Sequence, residues 1–167
     1  MMDYLLLKYL HVIAAVFLFG FGMGSYLYMI AASRTGDARV IAQVVRMVVR
    51  FDTWITTPAG VLQVLTGYAM TRVAGLPLTS DWLLSSVVIF VCVGALWLPV
   101  LVLQHRLQRL AASAAEQGET LDAHYRRLYR AWFWMGVLGF LGMFVIVWIM
   151  VTKSTPWQWL AMALASP

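Results

Sequence analysis

Apolar residues fill four long stretches of this chain, from about Leu5 to Ala32, Thr53 to Thr71, Trp82 to Leu103 and Ala131 to Thr152, with polar breaks between them. Each stretch approaches or exceeds the roughly 20 helical residues that cross a hydrocarbon core, so the pattern predicts four transmembrane helices. After the first stretch, Ser33-Arg34-Thr35-Gly36 breaks the helix, and Asp37 is placed to cap a new one. In that new helix, over 37–50, Arg39, Gln43, Arg46 and Arg50 recur at spacings of four, three and four on a valine-rich background. One polar stripe on an apolar helix predicts a segment lying along the cytoplasmic interface with its arginines toward lipid phosphates, or an inward extension of the second span. The tail over 155–167 opens with Pro156-Trp157-Gln158-Trp159-Leu160, and its indoles predict a segment resting at the headgroup level. Trp54, Trp82, Trp132 and Trp134 also fall near span ends.

Inside lipid every backbone N–H and C=O must be satisfied within the protein, and four spans with short connections meet that demand as an antiparallel bundle. The expected fold class is therefore all-α, a single four-helix membrane bundle over 1–167.

Composition agrees. Of the 167 residues 62% are hydrophobic and only 11% charged, and the mean hydropathy is +0.80, which leaves too little polar surface for a soluble globule. The net charge of +5 does not point to nucleic acid, because the basic residues sit in short segments beside the spans. Nine of the twelve Lys and Arg lie between Arg34 and Arg50 or between Arg106 and Arg130, leaving Lys8, Arg72 and Lys153 on the other side. By the positive-inside rule both termini are expected outside the cytoplasm. Cys92 is the only cysteine, so it forms no internal disulfide and no thiolate metal site by itself.

Ionisable residues within a span are costly and mark function by default, which singles out His11, the only histidine inside a span. Ala14, Ala15, Leu18 and Gly22 share its stripe and would let a helix or a flat macrocycle approach the ring. At 1.5 Å per residue His11 lies roughly 9 Å below Leu5, the depth expected for Gly67, Ser86 and Ile146 on the other spans. Imidazole is a common iron ligand, so a b-type haem held by His11 is one expectation. A neutral His11 hydrogen-bonded to a neighbouring helix and a site for a quinone or other small ligand are the others. Met143, in the stripe Gly136, Gly139, Met143 and Met150, offers a thioether, although packing explains most core methionines. Gly60, Gln63, Gly67 and Met70 form a comparable stripe on the second span, where Gln63 needs a partner in lipid. His105 and His124 sit beside arginines and read as solvated. Asp3, Asp52 and Asp81 all fall at span ends, and no nucleophile motif, phosphate loop or paired intramembrane carboxylates are present.

The run Leu7-Lys8-Tyr9-Leu10-His11-Val12-Ile13-Ala14 with Gly20, then Thr57-Pro58-Ala59-Gly60, Thr66-Gly67, Asp81-Trp82-Leu83 and Met150-Val151-Thr152-Lys153, resembles a bacterial membrane family, the domain of unknown function 2269. It also looks like the copper-resistance D and HemJ-type membrane proteins. The resemblance implies a bacterial inner-membrane protein. In the HemJ-type proteins, which act as protoporphyrinogen oxidases, the histidine matching His11 binds haem b together with a lysine, and that lysine position falls at Ser86 or Ser85 here. Serine cannot replace an amine ligand, so the oxidase activity is not carried over.

The expected function is a haem b membrane protein with an electron-transfer role, His11 holding the iron and Gly67, Met143 and Ser86 around it. Membrane lipid is the expected surrounding, with a periplasmic cytochrome or a quinone as redox partner. The alternatives are a non-catalytic subunit docked on a larger respiratory or transport complex, and a copper-handling protein using Met70, Met143 and Met150, whose thioethers favour Cu(I).

Overall fold

The computed structural model describes residues 2–165, and every regular element among them is helical: α1 Met2–Thr35, α2 Ala38–Phe51, α3 Thr57–Ala74, α4 Asp81–Gln117, α5 Ala123–Thr152 and α6 Pro156–Ala165. Three of these, α1, α4 and α5, are long and apolar enough to cross a membrane. The fourth expected span, α3, has 18 residues and falls short of them because Gln63, Thr66, Thr71 and Arg72 interrupt its apolar surface. Those interruptions have a structural purpose, since Gln63 and Thr66 turn inward to α1.

Asp37 caps α2 as the sequence predicts, its carboxylate accepting from the Arg39 and Val40 amides at 2.8 and 3.4 Å. The helix packs against protein along its apolar face. It is inserted between α1 and α4, burying Ala38, Ile41, Ala42, Val45 and Val48, while Arg39, Gln43, Arg46 and Arg50 form the exposed opposite face. The apolar face of α2 is thus covered by protein, and the helix runs on through a π turn into α3.

Between α2 and α3 the chain stays helical through one π turn, Asp52–Thr56. Proline lacks the amide for an i→i−4 bond, and its ring collides with the carbonyl four residues earlier. For Pro58 that carbonyl belongs to Trp54, inside the wider π turn, which relieves the collision. The Thr57 amide and hydroxyl both turn back to the Asp52 carbonyl, the hydroxyl at 2.7 Å.

The helices associate as two pairs, α1 with α3 and α4 with α5, and α2 joins the pairs at one end. There the buried core forms from Met29 and Ala32 of α1, the α2 face, Val100, Leu107 and Ala111 of α4, and Tyr125 and Trp132 of α5. Toward the other end α3 makes no extended contact with α4 or α5, and the pairs part. Leu5, Val16, Leu65, Val88, Val91, Leu141 and Val147 are exposed on the outer surface, as lipid-facing positions should be.

Beyond α5, Lys153 takes a left-handed conformation (φ 54°) and sets its ammonium 4.2 Å from the centre of the Trp82 ring. Helix α6 follows, capped by reciprocal bonds between Thr155 and Gln158 and holding Trp159 edge-on to Trp148 at 5.8 Å. All of α6 except its first turn is largely exposed; the last two residues of that segment, 166 and 167, lie outside the described residues.

Candidate functional site

Two polar clusters interrupt the apolar interior. The first surrounds His11. Its Nδ1 lies 2.9 Å from Thr66 Oγ1, and its Nε2 lies 2.9 Å from the Gln63 amide nitrogen. Thr66 has one hydroxyl proton and directs it to the Leu62 carbonyl at 2.6 Å, so it accepts from His11. The ring is then the neutral Nδ1–H tautomer, with its Nε2 lone pair accepting from Gln63. Gly67 lies directly against the ring, where a Cβ would meet His11 Cε1 at 3.2 Å. The arrangement fastens α1 to α3 and satisfies an imidazole that would be costly to bury unpaired.

Of the four residues expected to share a cofactor site, the structure brings together His11 and Gly67 only. Ser86 is buried on α4, with its hydroxyl given to the Trp82 carbonyl of its own helix at 2.8 Å. Met143 lies on α5 in a separate cavity that His11 does not line. A metal-bound histidine donates its other nitrogen to a partner, as Nδ1–H does here, but the Nε2 lone pair that iron would need is engaged by Gln63. Gly67 closes the space beside the ring, so a haem on His11 would need the Gln63 amide to leave Nε2 and the ring to gain room. Neither Met70 nor Met150 joins Met143 in the cavity, so the three methionines form no thioether cluster there, and no group of three His, Cys, Asp or Glu side chains could hold a metal among the described residues.

The second cluster, which sequence reasoning missed, sits where the two helix pairs part. A crevice of about 390 Å³ opens between them, within the range of small-molecule sites. Five glycines line it, Gly22, Gly60, Gly94, Gly136 and Gly139, together with apolar and aromatic groups such as Phe19, Phe140 and Trp97. Val61, Val64 and Leu98 are more than half exposed along its rim, so the crevice opens sideways, onto the surface that lipid covers.

Its polar end is built on the π turn. Asp52, 3% exposed, accepts from Thr56 Oγ1 at 3.1 Å and from the Gln104 amide nitrogen at 2.9 Å. No Lys, Arg or His pairs with this carboxyl group among the described residues. Two further buried polar atoms on residues that line the crevice have no hydrogen-bond partner, Oε1 of Gln104, whose amide nitrogen holds Asp52, and Nε1 of Trp132. Buried polar atoms are nearly always satisfied, and two orphans lining the same crevice as an uncompensated carboxyl group mark a candidate functional place. The sequence carried one signal for it: Asp52 at the edge of an apolar stretch, six residues before Pro58. Hydrophobic periodicity placed Asp52 at a span end and gave no sign of the π turn that carries it inside.

No curated protein and no solved structure matches the chain. A family model described as a predicted integral membrane protein, DUF2269, matches residues 5–154, from the first turns of α1 through the Lys153 turn and including both polar clusters. With three helices able to cross a membrane and a match over nearly all its length, the chain belongs to the DUF2269 family of predicted integral membrane proteins.

Proposed function

We propose that this protein binds an apolar, membrane-dissolved small molecule in the crevice between its helix pairs, and that it serves a redox role in a bacterial inner membrane with a quinone-like compound as the ligand class. The observation that carries the proposal is the crevice itself: glycine-lined, open toward lipid, and ending in a buried polar cluster with unmet hydrogen-bonding capacity. In this arrangement α3 is a fourth span, its polar residues answered by His11, and both termini lie outside the cytoplasm, opposite the basic end formed by the α1–α2 and α4–α5 connections.

The test is retention of ligand. A Cβ at Gly94 or Gly139 would meet no atom within 4 Å, so Gly94→Leu and Gly139→Leu each start a side chain into open space of the crevice. Wild type extracted directly into lipid nanodiscs is expected to carry a lipophile detectable by mass spectrometry, and both variants are expected to have lost it. Equal retention by wild type and the filled variants would refute the crevice as the site.

Haem b on His11 is the second proposal, supported by the Nδ1–H tautomer, which is that of a metal-bound imidazole. It requires the Gln63 amide to leave Nε2. Oxidised and reduced absorption spectra of wild type and His11→Ala decide it: a b-type spectrum lost in the variant supports haem, and a colourless wild type refutes it.

A further inference from the structure

We infer that the ligand of the crevice carries a hydroxyl head group, seated among Asp52, Gln104 and Trp132; the inference rests on the crevice being a ligand site. The rest of the lining is almost wholly apolar, so a ligand is oriented by this polar end. Asp52 fixes the amide of Gln104: the carboxylate only accepts, so the amide nitrogen turns toward it at 2.9 Å and Oε1 is left as an acceptor without a donor. Trp132, 1% exposed, offers the opposite, an indole N–H without an acceptor. Each Asp52 oxygen takes one hydrogen bond and has capacity for another.

The complement of such a cluster both donates and accepts through one small group. A hydroxyl does so, giving its proton to Gln104 Oε1 or Asp52 and accepting from Trp132 Nε1. A ketone or ether can answer only Trp132, and an ammonium only the two acceptors. The site therefore favours phenols, quinols and long-chain alcohols over the corresponding quinones, ethers and hydrocarbons.

Three probes of matched tail isolate the head group: 4-decylphenol, 4-decylanisole and decylbenzene. Each is titrated into the full-length protein in lipid nanodiscs and followed by tryptophan emission, since Trp97 and Trp132 both line the crevice, with empty nanodiscs correcting for partition. The phenol is expected to bind about tenfold more tightly than the anisole, the scale of one buried hydrogen bond left unmade. Gln104→Met and Trp132→Phe should each shrink that preference, with Trp97 still reporting in the second. Saturable binding of all three probes with equal affinity overturns the head-group inference and leaves the crevice as a ligand site. If none of the three probes saturates, both the head-group inference and the crevice as a ligand site are overturned.

Discussion

His11 Nδ1 and Thr66 Oγ1 lie 2.9 Å apart across the α1–α3 contact, and because the threonine proton is already on the Leu62 carbonyl, the imidazole is the donor. The two helices are thus joined by a hydrogen bond whose direction is fixed, with a second from Gln63 closing on the other nitrogen. Thr66→Val keeps the shape and removes one acceptor, and is expected to destabilise the protein by about 0.6 to 1.7 kcal/mol, the range for interhelical bonds in membranes. His11→Leu strands the Gln63 amide as well and should cost more, about 2 kcal/mol. A double-mutant cycle in denaturant unfolding measures the coupling, and a coupling of zero would show that the bond contributes nothing to the pairing.

At the other cluster Gln104 is the bridge between α4 and the π turn, through its 2.9 Å bond to Asp52. Gln104→Leu leaves the buried carboxyl group with Thr56 as its sole side-chain donor, and the loss is expected to be about 1 to 3 kcal/mol. Asp52→Asn, of nearly the same volume, removes the charge, retains the bond from Thr56, and keeps the link to Gln104 once that amide turns its Oε1 to accept from the substituted side chain. If the carboxylate is a binding element rather than a structural one, Asp52→Asn should unfold at close to the wild-type midpoint while losing preference for hydroxyl-bearing probes.

These two clusters differ in how far the sequence disclosed them. His11 stood out because a titratable group in an apolar run is rare, and Gln63 announced its need for a partner, so the first cluster was legible in its parts; Thr66 completed it. Asp52 was not, because helical periodicity carries no mark for a π turn, and a carboxylate between two apolar helices reads as the boundary between them. The same limit governs α2. The arginine stripe identifies the outward face correctly, yet an amphipathic pattern is silent on whether lipid or protein covers the other face. Crevices arise from helices that fail to meet, and the parting of α3 from α4 and α5 depends on packing that no single segment encodes.

Helix α1 crosses α5 where Tyr26 lies over Gly136. The tyrosine hydroxyl is held at 2.8 Å by the Phe133 carbonyl, and its ring packs against Trp132 and Phe140 with centroids 4.9 and 5.3 Å away. A Cβ at Gly136 would overlap the ring, which these contacts prevent from moving aside. Gly136→Ala is expected to destabilise by about 1 to 3 kcal/mol through overpacking. One turn on, Gly139 faces open space, so Gly139→Ala should be neutral or gain up to about 1 kcal/mol in helix propensity. Thermal unfolding of the two variants side by side separates the steric effect from the general effect of replacing glycine in α5.

The charge asymmetry makes a prediction about orientation that does not depend on any ligand. The α3–α4 connection, over 75–80, is short and carries no Lys or Arg, whereas the α4–α5 connection is followed by Arg126, Arg127 and Arg130 and preceded by Arg106 and Arg109. Positive charge is retained on the cytoplasmic side, so residue 79 should face outward and residue 113 inward. Thr79 and Ser113 are both exposed, and the native thiol is removed by Cys92→Ser. In intact cells a membrane-impermeant maleimide should label Thr79→Cys, and it should label Ser113→Cys only after permeabilisation. The inverse pattern would turn the bundle over and place both termini in the cytoplasm. Labelling of both positions from outside would mean that α4 does not cross the membrane at all, and α3 would then lose its place as a span.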